Sequence, residues 1–217
     1  MTEKIQKLFQ NLKINKINPI YAENSEEAVK IVKDMLFDGC VITAGGSMSL
    51  AESGVLDVIN DKKYNFMNRA EKGITPEKQF EYDKASVGAD FFFCSANAIT
   101  ENGEILNVDG RANRIASIAF GPKKVVMIVG VNKIVPDLKA AFLRVKTTAA
   151  PKNCVRLGID NPCAKLGHCV SLLKNPDPDF ADGCKKDTRI CCDYLVSALQ
   201  RVKDRITVIL VNENLGY

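Results

Sequence analysis

Six of the eight cysteines in this chain lie between Cys154 and Cys192. Thiolates bind soft metal ions and carry redox chemistry, so their clustering is a chemical signal. In a reducing compartment it points to a metal or redox centre rather than a disulfide framework. Cys163, Cys169, Cys184 and Cys191 are the candidate ligands, separated by five, fourteen and six residues. Gly167 and Gly183 precede two of them and let the backbone bend. Four thiolates suit a 4Fe-4S iron–sulphur cluster, with zinc as the alternative. Cys154, Cys192 and His168 are substitutes, and the paired knuckles of a zinc ribbon are missing. The plain alternative is a set of buried or free thiols, the reading given to Cys40 and Cys94 in their apolar runs.

The second chemical signal is polar. Asn97, Thr100, Glu101, Asn107, Asp109, Arg111, Asn113 and Arg114 crowd into twenty residues just past an apolar run. Such a block can aim amides, carboxylates and guanidinium groups at one small polar substrate. Arg111 or Arg114 would hold a carboxylate or phosphate by a forked pair of hydrogen bonds. Glu101 and Asp109 are the acid–base candidates. Taken singly, Asn97 and Asp109 also read as turn residues, and Glu101 with Arg114 as a structural ion pair. Gly45-Gly46-Ser47 adds a glycine turn that exposes backbone N–H groups to an anion, although it is neither a dinucleotide fingerprint nor a P-loop. Asn132-Lys133, after a valine-rich run, adds a cation at another strand end.

The elements that must position these groups alternate. Met1–Lys16 is amphipathic and helical, Pro19–Ala22 is extended, and a helix capped by Asn24 or Ser25 follows. Cys40–Thr43 reads as a strand opening through the glycine turn into a helix over Ser49–Ile59. Lys62–Lys84 reads as an irregular surface segment or lid. Ala89–Cys94 and Lys124–Gly130 are apolar strands, and Gly103–Gly110 alternates like one arm of a hairpin. Pro136–Thr148 reads as a helix stopped before Pro151, Asp193–Lys203 as a helix, and Arg205–Val211 as a last strand. The alternation implies an α/β fold, a mostly parallel sheet with helices on both faces. One domain over residues 1–217, with a cysteine-rich segment at 153–193, accommodates all of it.

Composition narrows the function classes. Of 217 residues, 46% are hydrophobic and 26% charged, and 30 basic against 26 acidic residues leave a formal charge of +4. The charges are interspersed, so neither a nucleic acid nor a membrane surface is an expected partner. No apolar run approaches the ~20 residues of a membrane span, nothing resembles a signal peptide, and a cytoplasmic location is expected.

Several ordered motifs resemble the lactate-utilisation (LUD) domain family, which includes the small subunit of bacterial lactate-oxidation complexes. They are Gly45-Gly46-Ser47-Met48-Ser49 with Glu52 and Gly54, then Ser95-Ala96-Asn97-Ala98-Ile99-Thr100-Glu101. Asn107-Val108-Asp109-Gly110, Asn113-Arg114, Phe120-Gly121-Pro122-Lys123-Lys124 and Gly130-Val131-Asn132-Lys133-Ile134-Val135 follow. Asn161-Pro162-Cys163, Gly167-His168-Cys169 and Arg189-Ile190-Cys191 complete the set. The resemblance implies a fold like ribose-phosphate isomerase and the CoA transferases, and a role in organic-acid oxidation beside iron–sulphur proteins. It supplies no catalytic residue. This chain departs from the family pattern where Val170–Gly183 separates the second and third cysteines, and where Cys192 replaces the usual asparagine.

Two functions from different classes follow. One is a lactate or organic-acid oxidation component that carries an iron–sulphur cluster and binds a small anion. Its partners would be that acid and iron–sulphur proteins, and a homodimer is allowed. The other is a non-redox isomerase, transferase or cyclo-ligase acting on a phosphorylated or CoA-linked substrate, with structural zinc and with Glu52, Glu101 or Asp109 as acid–base groups.

Overall fold

Strands too apolar to alternate need cover on both faces, and the computed structural model, which describes residues 1–217, provides it. The strands in chain order are β1 (Asn18–Ala22), β2 (Val41–Ala44), β3 (Asn65–Met67), β4 (Phe91–Cys94) and β5 (Ala98–Thr100). They continue with β6 (Ile105–Asp109), β7 (Lys124–Gly130), β8 (Ile134–Val135), β9 (Asp193–Ser197) and β10 (Ile206–Val211). The helices are α1 (Glu3–Ile14), α2 (Ser25–Met35), α3 (Met48–Glu52), α4 (Val55–Ile59) and α5 (Pro76–Ala85). After them come α6 (Asn113–Ala119), α7 (Leu138–Arg144), α8 (Ala150–Arg156), α9 (Pro162–Leu166) and α10 (Ser171–Lys174).

Six strands form a wholly parallel sheet in the order β1, β10, β7, β4, β2, β3. Residue parity divides its core. Phe91, Phe93, Val126, Ile128, Ile209 and Val211 face α2, α3 and α4 through Ala28, Val32, Leu50, Val55 and Ile59. Phe92, Cys94, Val125, Met127, Val129 and Leu210 face the other way, against Ile5, Leu8 and Leu12 of α1 and Ile118 of α6. The remaining strands form a smaller sheet in the order β8, β5, β6, β9. Its Ile99 and Ile105 join the α1-side core, while Ala98, Leu106 and Val108 pack on Ala141 of α7 and on Val145. No helix is long and apolar enough to cross a membrane.

The structure corrects four sequence readings. Asp193–Lys203 is not a helix: β9 occupies its start, pairing antiparallel with the whole of β6 from Asp109↔Asp193 to Ile105↔Ser197. Tyr194, Leu195 and Val196 are strand-favouring residues with a partner edge waiting, and that pairing outweighs a helical spacing. The helix from Pro136 does not stop before Pro151. A π-helical turn over Val145–Ala149 joins α7 to α8, and Pro151 falls in the first turn of α8, where its missing N–H costs nothing. Ser49–Ile59 is two helices, divided at Gly54, whose φ of 74° is left-handed. Finally, Lys62–Lys84 is ordered, with β3 on the sheet edge and α5 after it.

Candidate anion-binding cavity

The chain leaves the adjacent strands β2, β4 and β7 at Gly45, Ser95 and Val131, all at the C-terminal edge of the sheet. In open α/β sheets this edge is where ligands bind. Here it opens a cavity of about 390 Å³ whose wall includes Gly46, Ser47, Ser95, Asn97, Asp109 and Lys133.

Arg114 holds the polar block together. Its Nε donates to Asp109 Oδ1 at 2.8 Å, Nη1 to the Ser95 carbonyl at 3.1 Å, and Nη2 to Asn97 Oδ1 at 2.9 Å and the Val108 carbonyl at 2.8 Å. The second Asp109 oxygen accepts the Ile115 N–H at 2.9 Å. Both oxygens of Asp109 are therefore spoken for, so the residue is an anchor and not a free base. Gly45 is explained by the same guanidinium stem: a Cβ there would lie 2.8 Å from Arg114 Cδ. Its N–H donates to the Phe93 carbonyl, so Gly45 does not cradle an anion.

Lys133 sits just beyond β7, only 3% exposed, and no carboxylate lies within ion-pair distance of it. Its Nζ donates to Ser49 Oγ at 2.8 Å and to Ser95 Oγ at 3.0 Å. Burial depresses its pKa to about 7, helped by the positive charges of Arg144 and Arg114, while Glu52 and Cys94 act weakly the other way. Arg144, its own pKa lowered by burial, donates to the Asn97 carbonyl at 2.6 Å.

The cavity wall carries four arginines, Arg69, Arg111, Arg114 and Arg156, beside Lys133, against one carboxylate, Asp109. Arg69 is neutralised by Asp83 at 2.9 Å and Arg114 by Asp109. Arg111, Arg156 and Lys133 have no acidic partner; Arg156 is held by the Asn153 side-chain carbonyl, at 2.8 and 3.0 Å. Gly46 and Ser47 add backbone N–H groups with no acceptor in the protein. Ser47 also caps α3, its Oγ accepting from Leu50 N at 3.3 Å. Cations and free N–H groups on one wall are the donor types that anions bind.

The site residues expected from sequence separate into two groups. Gly46, Ser47, Asn97, Asp109, Asn113, Arg114 and Lys133 all reach the cavity. Gly45, Thr100, Glu101 and Asn132 do not line it. Glu101 lies beyond β5, where it pairs with Lys4 at 3.2 Å and Lys7 at 3.6 Å on α1, so it is neither an acid–base group nor the partner of Arg114. Thr100 is buried and binds Glu104. Asn132 ties down the C-terminal segment through Leu215 N and the Gly216 carbonyl, each at 3.2 Å. Glu52 accepts the Gly216 N–H. Sequence reasoning missed Arg69, Arg156 and Tyr217, which carried no motif, and the two serines on Lys133.

The cysteine quartet is not assembled as expected. Cys163 and Cys154 are neighbours, Sγ to Sγ 3.7 Å, and Cys184 and Cys191 are the other thiols whose charge Cys163 feels. Cys169 instead accepts from Ser171 Oγ at 3.2 Å, beside the buried Lys146. Burial, with Cys154 adding, pushes the Cys163 thiol up to about 12, so it stays protonated at neutral pH. No three His, Cys, Asp or Glu side chains come together as a metal-holding group. Cys163 therefore has Cys154, not Cys169, beside it, so the thiols that come together are not the four expected.

A parallel sheet flanked by helices, with a cationic cavity at its strand ends, defines the class, an α/β domain. The chain belongs to the LUD domain family, whose model matches residues 5–211. Two solved structures are similar over part or all of the chain. A DUF162 family protein from Deinococcus radiodurans is 11% identical over 96% of both chains, with a TM-score of 0.48. The β subunit of eIF2B from Chaetomium thermophilum is 14% identical over 53% of this chain and 40% of its own, with a TM-score of 0.38. No curated protein matches.

Proposed function

We propose that this chain is a component of lactate or related organic-acid utilisation, of the small-subunit type, and that it binds a small organic anion in the cavity beyond β2, β4 and β7. The supporting observation is the charge imbalance of the wall, with Arg111 and Arg156 uncompensated and the Gly46 and Ser47 N–H groups unclaimed. A carboxylate or phosphate supplies the missing partner for each. Family membership points to lactate utilisation. The anion reading needs no iron–sulphur cluster or zinc; a cluster on the thiols around Cys163, where Cys154, Cys184 and Cys191 lie near, is a separate expectation that anaerobic iron and sulphide analysis tests. Glu101 and Asp109, both committed to ion pairs, serve no acid–base role in the anion reading.

Calorimetric titration with lactate, pyruvate and a sugar phosphate tests the reading. At least one should bind, less tightly as salt is raised. Arg156→Ala should weaken binding about tenfold or more, the loss of one charge-assisted contact of about 1.5–3 kcal/mol. Absence of binding by all three, or equal affinity in Arg156→Ala, sinks it.

A further inference from the structure

Anion capture leaves Lys133 and its two serines without a use. We propose that Ser95, Lys133 and Ser49 form an acyl-transfer centre, with Ser95 as nucleophile, that hydrolyses an ester or thioester of a small acid bearing a second anionic group. The proposal rests on the anion-binding reading only for the second charge of the substrate.

Geometry carries it. Ser95 stands at the end of β4 in the cavity wall, and its Oγ is 3.0 Å from Lys133 Nζ and 3.3 Å from Ser49 Oγ. Lys133 Nζ and Ser49 Oγ are 2.8 Å apart. Ser49, 1% exposed, lies behind this pair, and its hydroxyl donates to the Leu215 carbonyl at 3.1 Å. That bond spends the Ser49 proton, so Ser49 Oγ accepts from Lys133 and holds Nζ beside Ser95 Oγ, which makes Ser49 a positioning residue. A nucleophile in hydrogen-bond reach of a base that is itself oriented by a third group is the signature of an activated hydroxyl. A purely structural lysine at this depth ordinarily pairs with a carboxylate, and here none is present.

The charges around Lys133 suit it to the task. Arg144 from α7 and Arg114 from α6 disfavour its ammonium form, Glu52 from α3 favours it, and Cys94 from β4 stays a neutral thiol. The amine is thus substantially neutral near pH 7 and can accept a proton. Oxygen Oγ of Ser95 attacks the carbonyl carbon while its proton passes to Lys133. The carbon–oxygen or carbon–sulphur bond of the leaving group then breaks, and Lys133 returns the proton to that group. Water next attacks the acyl-Ser95 ester, gives a proton to Lys133, and the Ser95 oxygen leaves and recovers it. The products are the free acid and an alcohol or thiol. The free N–H groups of Gly46 and Ser47 in the same wall are donors of the kind that stabilise an oxyanion.

Labelling with a small fluorophosphonate tests the assignment without knowledge of the substrate. Ser95 should displace fluoride and gain the phosphonyl mass, located by peptide mapping, at a rate that rises through pH 7. Lys133→Met should slow labelling about 100-fold or more, and Ser95→Ala should abolish it at this position. No adduct on Ser95 in the wild-type protein overturns the proposal, as does an equal rate in Lys133→Met. If Lys133→Met does not fold, a labelling rate flat between pH 6 and 8 in the wild type overturns it instead. Titration of the wild type with inorganic phosphate separates the two readings: binding without an adduct leaves the anion site standing and removes only the acyl-transfer centre.

Discussion

At the scale of single residues, the cavity depends on one arginine. Arg114 satisfies Asp109, Asn97 and two backbone carbonyls at once, with side chains that are 14% and 8% exposed for the arginine and its aspartate. A lysine keeps the charge but lacks the fork that reaches all four acceptors. Arg114→Lys should therefore cost about 3 kcal/mol, the range for breaking a buried pair. Gly45→Ala should cost about 1–3 kcal/mol by driving a methyl group into the arginine stem. Urea denaturation of both variants measures this, and losses under about 0.5 kcal/mol would show the network to be loose. The crowding of Asn97, Asp109, Asn113 and Arg114 was legible in the sequence, because dissimilar polar groups seldom collect beyond an apolar strand without a shared task. Their roles were not. The pairing of Asp109 with Arg114, and the departure of Glu101 toward Lys4 and Lys7, depend on which way β5 and β6 present their ends. Lys133 was legible as a cation at a strand end, but nothing in its spacing to Ser49 and Ser95 announces that three distant segments bring them together.

At the scale of elements, local pattern was reliable where one strand or helix dominates its own neighbourhood, and failed where pairing decides. The Phe and Val runs of β4 and β7 declare themselves, since a parallel strand buried on both faces has nothing else to be. The β9 segment instead takes its conformation from β6, a partner more than eighty residues away, and no window of sequence contains both. Pro151 marked a helix end by the usual rule, but the π-helical turn before it moves the register so that its missing N–H is not needed. Pro151→Ala should then change stability by less than about 1 kcal/mol in thermal or urea unfolding. A gain near 3 kcal/mol, the cost of a helix-interior proline, would mean that Pro151 strains the helix it sits in.

At the scale of the whole molecule, the buried lysine and the buried thiols pull stability in opposite directions with pH. Lys133 has a folded-state pKa of about 7 against an ordinary 10.5. Between those values the folded protein has shed a proton that the unfolded chain still holds, so stability rises with pH in this window. The slope approaches about 1.4 kcal/mol per pH unit for one group. Cys94 and Cys163 behave inversely: burial raises each from 9.0 to about 12. Above pH 9 the folded protein keeps protons that the unfolded chain releases, and stability falls. The two effects oppose from pH 9 upward, while only the lysine acts between pH 7 and 9. Urea unfolding of the wild type should therefore show stability climbing over that interval. In Lys133→Met the climb should disappear while the alkaline fall remains. A wild-type curve flat or falling from pH 7 to 9 would mean that Lys133 stays charged in its pocket. That result would remove the physical basis for a neutral amine beside Ser95.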